Sequence, residues 1–240
     1  MHTRDAGHLG GPGGRMTIDG TWTLGRSVEW ARVFARMPDT GARTQQAHYV
    51  IEGVVGGERH RYVNTHFSKD VWVELGVYRF TGTPRVERTN TTDDGTADED
   101  IAWDAVAFQP LSGKPKHMVV AMGDSYTSGE GAGAYSPESD RDHGKSSWNA
   151  CRRSPNAWPG KVTVPGPAKS VDALAALGLQ FTACSGAAAG RMAEGCLPSG
   201  WGLDGDFHER TQIDSGVLSV DTTLVVPTIG GNDARFDNKI

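Results

Sequence analysis

The sequence predicts two domains, an antiparallel β-sandwich followed by an α/β domain on a parallel sheet, and three observations carry that expectation. From Thr21 to Phe108, apolar residues recur at every second position in short runs bounded by turn residues, the period of a half-buried strand. The stretch Gln109–Lys116, QPLSGKPK, then breaks the pattern with prolines, a glycine and lysines. Beyond it the runs are largely apolar on both faces and each ends in a Gly-rich loop. Strands of that kind belong to parallel sheets covered by helices on both faces.

The elements follow in order. Residues 1–20 read as a flexible leader, because MHTRDAGHLGGPGGRM has no apolar core and so is no signal peptide. Residues 21–111 form the sandwich. There Ala31, Val33, Ala35 and Met37 alternate with Arg32, Phe34 and Arg36. Val71, Val73, Leu75 and Val77 alternate with Trp72, Glu74 and Tyr78, and Ile101, Trp103, Ala105 and Ala107 with Ala102, Asp104 and Val106. Turn chemistry separates the runs at Pro38-Asp39-Thr40-Gly41, Gly56-Gly57, Thr81-Gly82-Thr83-Pro84 and Asp93-Asp94-Gly95. Residues 112–117 are the linker. Residues 118–240 form the α/β domain, with apolar strands at Met118–Met122, Leu177–Ala183 and Leu224–Ile229. Pro227 falls inside the third of these and removes a ladder donor, which marks an edge or a bulge.

Composition narrows the function. The chain has 240 residues, 37% hydrophobic and 22% charged, with a formal net charge of -5. That balance suits a globular protein. It argues against nucleic acid and anionic membrane as partners, since both reward clustered Lys and Arg. No run approaches the roughly 18–20 apolar residues of a membrane span. The three cysteines, Cys151, Cys184 and Cys196, leave one unpaired within the chain.

The chemistry lies at the three strand ends. A serine hydroxyl needs a base to take its proton and donors to hold the oxyanion that forms. Ser125 stands where the first apolar strand turns into the next element, with Gly123 permitting the turn. The N–H of Ser125 can face an oxyanion. Gly186 offers a second backbone N–H, and Asn232 a side-chain amide.

In order and spacing these segments resemble the GDSL/SGNH hydrolase superfamily, in particular its secreted actinobacterial-type esterases. Gly123-Asp124-Ser125-Tyr126-Thr127-Ser128-Gly129-Glu130-Gly131 is similar to the first block, which implies Ser125 as nucleophile. Cys184-Ser185-Gly186-Ala187 is similar to the second and Ile229-Gly230-Gly231-Asn232-Asp233 to the third, which implies Gly186 and Asn232 as oxyanion-hole donors. Gly123, Asp124, Gly231 and Asp233 support them. The stretch Cys151-Arg152-Arg153-Ser154-Pro155-Asn156-Ala157-Trp158-Pro159 also resembles the family after its first block. The resemblance covers Met118 onward. It implies a flavodoxin-like α/β/α three-layer domain and hydrolysis of an acyl, lipid or O-acetyl ester, with no cofactor and no metal. It further implies a disulfide between Cys151 and Cys184 and a secreted, extracellular setting. The alternative for the cysteines is three buried or free thiols.

The family's last block, an Asp-x-x-His pair that supplies the base, finds no match in Ala234–Ile240. His143 and His208 match none of the blocks. The expectation is an incomplete hydrolase domain, with the base beyond Ile240 and no turnover assured for this chain alone. Residues of the front half, among them Trp30-Ala31-Arg32-Val33, Met37-Pro38-Asp39-Thr40-Gly41, Gln45-Gln46-Ala47-His48-Tyr49 and Asp93 to Val106, resemble golvesin C-terminal-like domains, also described as xanthan-lyase carbohydrate-binding-like domains. That implies an accessory module for polysaccharide, with Trp72, Tyr78 and Trp103 as stacking candidates and the Asp93–Asp100 run as a calcium candidate set against a plain solvated loop. Two function classes therefore stand, a serine esterase acting on a small or polymer-borne ester and a non-catalytic polysaccharide-binding protein.

Overall fold

A computed structural model describes residues 2–3, 17–66, 68–92, 101–141, 149–164, 166, 168–172, 178–189, 207 and 209–234. The acidic run Asp93–Asp100, His143, Cys196 and His208 lie outside the described residues. The chain divides into two compact units, Met1–Lys114 and Pro115–Ile240.

The first unit is built from antiparallel strands. They are β1 (His2–Thr3), β2 (Asp19–Thr23), β3 (Trp30–Met37), β4 (Ala47–Val54), β5 (Arg59–Val63), β6 (Val71–Thr89), β7 (Ile101–Ala102) and β8 (Val106–Leu111). Six of them form one sheet in the order β5-β4-β6-β3-β8, with β2 also paired to β6, while β1 pairs β7. Alternation places Ala31, Val33, Ala35 and Met37 of β3 in the core. Tyr49 and Ile51 from β4 and Leu75, Tyr78, Phe80 and Val86 from β6 join the same cluster.

Strand β6 is the backbone of this unit. Its first half pairs β3 and its second half pairs β4 and β2. The ladder shifts register between Val33 and Phe34, and again between Glu52 and Val54. A bulge inserts a residue and bends the strand, and side chains of both halves meet in one core. Two sequence expectations change here. The alternation of Val71–Val77 does not hold, because the extra residue at Leu75 resets the phase. Leu75, Val77 and Tyr78 are all buried while Val71 and Trp72 face solvent. The predicted turn Thr81-Gly82-Thr83-Pro84 is strand. Its carbonyls at Gly82 and Pro84 accept from Val28 and Leu24, so turn-type residues sit at a bulge rather than a chain reversal. Of the three stacking candidates, Tyr78 is core and donates to the Leu75 carbonyl at 2.7 Å. The Trp103 ring lies against Gly20, and Trp72 is 50% exposed.

The second unit contains β9 (Val119–Gly123), α1 (Ser125–Ser128), a 3-10 turn at Pro137–Ser139, and α2 (Trp158–Lys161). It continues with β10 (Thr163–Val164), β11 (Lys169–Ser170), β12 (Leu179–Phe181) and β13 (Leu224–Thr228). A parallel sheet runs β12-β9-β13. Every residue of β9 is buried, and its two faces go to different clusters. Val119 packs with Val164 and Val171, while Val120 and Met122 pack with Val217. A central strand covered on both faces must be apolar throughout, which is what the sequence shows. Among the described residues β13 pairs only with β9. Leu224 N donates to Met118 O at 3.2 Å and Asp124 N to Thr228 O at 2.8 Å. Alternate residues of β13 therefore turn their backbone groups to β9. Pro227, out of phase with them, directs its missing donor to the outer edge, where a proline costs least.

Candidate active site

Strand β9 delivers its last residue, Gly123, into a crowded turn. Gly123 has φ +121, and a Cβ there would fall 2.0 Å from the Thr228 carbonyl oxygen. Only glycine lets β9 approach β13 this closely before the chain turns. Asp124 follows as N-cap of α1. Its buried carboxylate accepts from Tyr126 N at 3.1 Å and from Thr228 Oγ1 at 2.9 Å. Thr228 in turn shares a 2.6 Å contact between hydroxyls with Thr127, and its N–H donates to Thr127 Oγ1 at 2.9 Å. Ser125 is the first residue of α1 and half-buried. Its carbonyl closes the turn by accepting from Gly129 N and Glu130 N, each at 3.1 Å.

The loop after β12 comes to the same place. Cys184 N donates to Gly123 O at 3.0 Å, so the second strand end is tied to the residue that opens the first turn. A disulfide joins Cys184 to Cys151, and Ser185 N donates to Cys151 O at 3.0 Å. The Ser185 hydroxyl donates to Glu130, whose other carboxylate oxygen pairs with Arg152. Gly186 has φ +83 and is exposed, with no heavy atom within 4 Å of where a Cβ would stand. The loop after β13 closes on this one. Asn232 Nδ2 donates to Ala187 O at 2.8 Å, and Asp233 accepts from Ala189 N at 2.9 Å. A Cβ on Gly231 would meet Asp124 Oδ2 at 3.8 Å.

Four residues to which sequence reasoning gave no role, Gln212, Arg153, Glu209 and Asn149, hold this arrangement. Gln212 is buried, and its amide makes a two-point contact with Gly123. It accepts from Gly123 N at 2.6 Å and donates to Gly123 O at 2.8 Å. Arg153 is buried against Glu209, with nitrogen–oxygen contacts of 2.9 and 2.5 Å. Burial alone would lower the Arg153 pKa, but the Glu209 and Glu138 carboxylates together outweigh it and raise the guanidinium above its usual range. Asn149 also donates to Glu209, at 2.8 Å. A pocket opens beside the disulfide, lined by Cys184, Gly186, Phe207, Glu209 and Thr211 among others. No signal within Arg210-Thr211-Gln212 marks Gln212, because its partner lies 89 residues away.

Among the described residues no histidine is hydrogen-bonded to Ser125. No described helix is long and apolar enough to cross a membrane.

No protein-family model matches the chain. Over 117 residues it is 37% identical to Lipase 1 of Streptomyces coelicolor and 36% identical to a lipase of Streptomyces rimosus. Each match covers 49% of this chain and 31% of the relative, so the chain spans less than a third of the curated relatives it matches. Among solved structures, the extracellular lipase from Streptomyces rimosus aligns at 32% identity. That alignment covers 51% of this chain and 37% of the other, with a TM-score of 0.31.

Proposed function

We propose that the second unit belongs to a serine ester hydrolase of the GDSL/SGNH type, with Ser125 as nucleophile. The observation that carries this reading is the meeting of three strand-end loops, each bringing a different part of the same chemistry. Ser125 Oγ would attack the acyl carbon of an ester. The oxyanion would be held by the backbone N–H of Ser125, the N–H of Gly186 and the amide of Asn232. An amide has two N–H groups, so the one bonded to Ala187 leaves the other for substrate. Each donor of this kind is worth about 3–4 kcal/mol in the transition state. Gly123 and Asp124 shape the nucleophile turn, and Gly231 and Asp233 shape the third loop.

The parallel order β12-β9-β13, with β9 covered on both faces, supports an α/β/α three-layer architecture for this unit. The similarity of a 117-residue stretch to lipases supports an acyl or lipid ester as substrate. The Cys151–Cys184 disulfide supports an oxidising, extracellular setting. A base must take the Ser125 proton. In this reading it comes from an Asp-x-x-His pair as in the family.

A fluorophosphonate probe tests the assignment. Peptide mapping is expected to find the adduct on Ser125 and to lose it in Ser125→Ala. An adduct that survives Ser125→Ala, or one placed on another serine, would refute it.

A further inference from the structure

We propose that the outer face of the β4–β5 hairpin carries a site for a divalent transition-metal ion, ligated by His48 Nε2 and His60 Nδ1. The inference concerns the first unit alone and stands apart from the ester-hydrolase reading. In the β4–β5 ladder His48 lies opposite Tyr62, and Val50 opposite His60. The two histidines are thus diagonal neighbours, on one face because even-numbered residues of both strands point the same way. That face is the outer one. Tyr49 and Ile51 of β4 and Arg61 and Val63 of β5 are buried, while His48 and Tyr62 are half-buried and His60 is exposed.

The nitrogens His48 Nε2 and His60 Nδ1 stand 2.9 Å apart in a hydrogen bond, so a bound ion takes the place of the proton they share and releases it to solvent. Two imidazole nitrogens bound to one ion at about 2.0–2.1 Å, between square and tetrahedral angles, must sit about 2.9–3.4 Å from each other. The observed separation falls at the lower end of that window. Both rings are also oriented by other contacts. His48 stacks on Tyr62 with centroids 4.5 Å apart and planes 6° from parallel. His60 turns its other nitrogen, Nε2, to the Glu58 carboxylate at 3.3 Å. A carboxylate on the far nitrogen fixes the tautomer that leaves Nδ1 with a lone pair, which is the outer-shell arrangement of metal-bound histidines.

Among the described residues no group of three or more His, Cys, Asp and Glu side chains is placed to hold a metal ion. The protein therefore supplies two nitrogens from a rigid hairpin, and water completes the coordination. Imidazole pairs of this kind favour Zn²⁺, Cu²⁺ and Ni²⁺ over Ca²⁺ or Mg²⁺.

Titration calorimetry of the whole chain with Zn²⁺ tests this, with His48→Ala, His60→Ala and Glu58→Gln compared. Both histidine variants are expected to lose the same one equivalent of Zn²⁺. Glu58→Gln is expected to keep that equivalent and bind it about tenfold more weakly. His60→Gln, polar at an exposed position, serves if His60→Ala does not fold. Equal stoichiometry in the native chain and in either folded histidine variant overturns the site. So does loss of an equivalent in only one of the two, since a shared ion needs both ligands.

Discussion

At the residue scale, the candidate site is read from Ser125, Gly186 and Asn232, but it is held by Gln212. The three named residues come from the resemblance of Gly-Asp-Ser, Cys-Ser-Gly and Gly-Gly-Asn-Asp, in order and spacing, to the blocks of one family, and the structure brings their loops together. Gln212 was not legible, because nothing in its own neighbourhood announces a partner 89 residues earlier. Its role is a matter of satisfaction. Both backbone groups of Gly123 are buried, and the Gln212 amide meets both. Gln212→Ala leaves the Gly123 N–H buried without that acceptor, while the carbonyl keeps only Cys184 N. A buried group left unsatisfied costs about 1–3 kcal/mol. Gln212→Ala is therefore expected to lower the urea midpoint by that free energy, with an unchanged m-value. A midpoint equal to that of the native chain in Gln212→Ala would show that the pin is dispensable.

At the scale of elements, the legible strands were those whose environment is uniform along their length. Strand β9 is buried on both faces from Val119 to Gly123 and reads as a continuous apolar run. Strand β3 keeps Ala31, Val33, Ala35 and Met37 in the core, and that half of its alternation was legible, whereas the burial of Arg32 between them was not. Strand β6 was misread because its environment changes twice along one chain, at bulges opposite β3 and β4. Period-two reasoning assumes a constant phase, and a bulge removes that assumption. The bulge has an energetic signature. It places Tyr78 in the core beside Arg61 and Glu74. Burial pushes the Tyr78 phenol up to about 12, with Arg61 lowering it and Glu74 adding to the rise. The unfolded phenol titrates near pH 10. Below that pH both states hold the proton and stability does not depend on it. Between about pH 10 and 12 the unfolded chain releases a proton that the native chain retains, so stability falls with rising pH. The loss through this window is about 2–3 kcal/mol. Urea midpoints of the native chain are expected to drop more steeply between pH 9 and 11 than those of Tyr78→Phe. Equal slopes would remove Tyr78 as the cause.

At the scale of the whole molecule, the covalent and the titrating features lie in different units. Tyr78 belongs to Met1–Lys114, and both Cys151 and Cys184 belong to Pro115–Ile240. The buried core of the first unit is drawn from four of its strands, β3, β4, β5 and β6, which is the requirement for a cooperative unit of its own. The second has smaller clusters on the two faces of β9, and it is closed by a disulfide spanning 33 residues. A loop of that length, opened by reduction, returns about 3–4 kcal/mol of chain entropy to the unfolded state. The reductant should therefore act on one unit and high pH on the other. Calorimetry is expected to resolve two transitions. Dithiothreitol should lower only one of them, and Tyr78→Phe at high pH should shift only its companion. Cys151→Ala with Cys184→Ala should reproduce the effect of reductant without it. If both transitions move together under either perturbation, the two units unfold as one, and the separate cores no longer account for the stability of the chain.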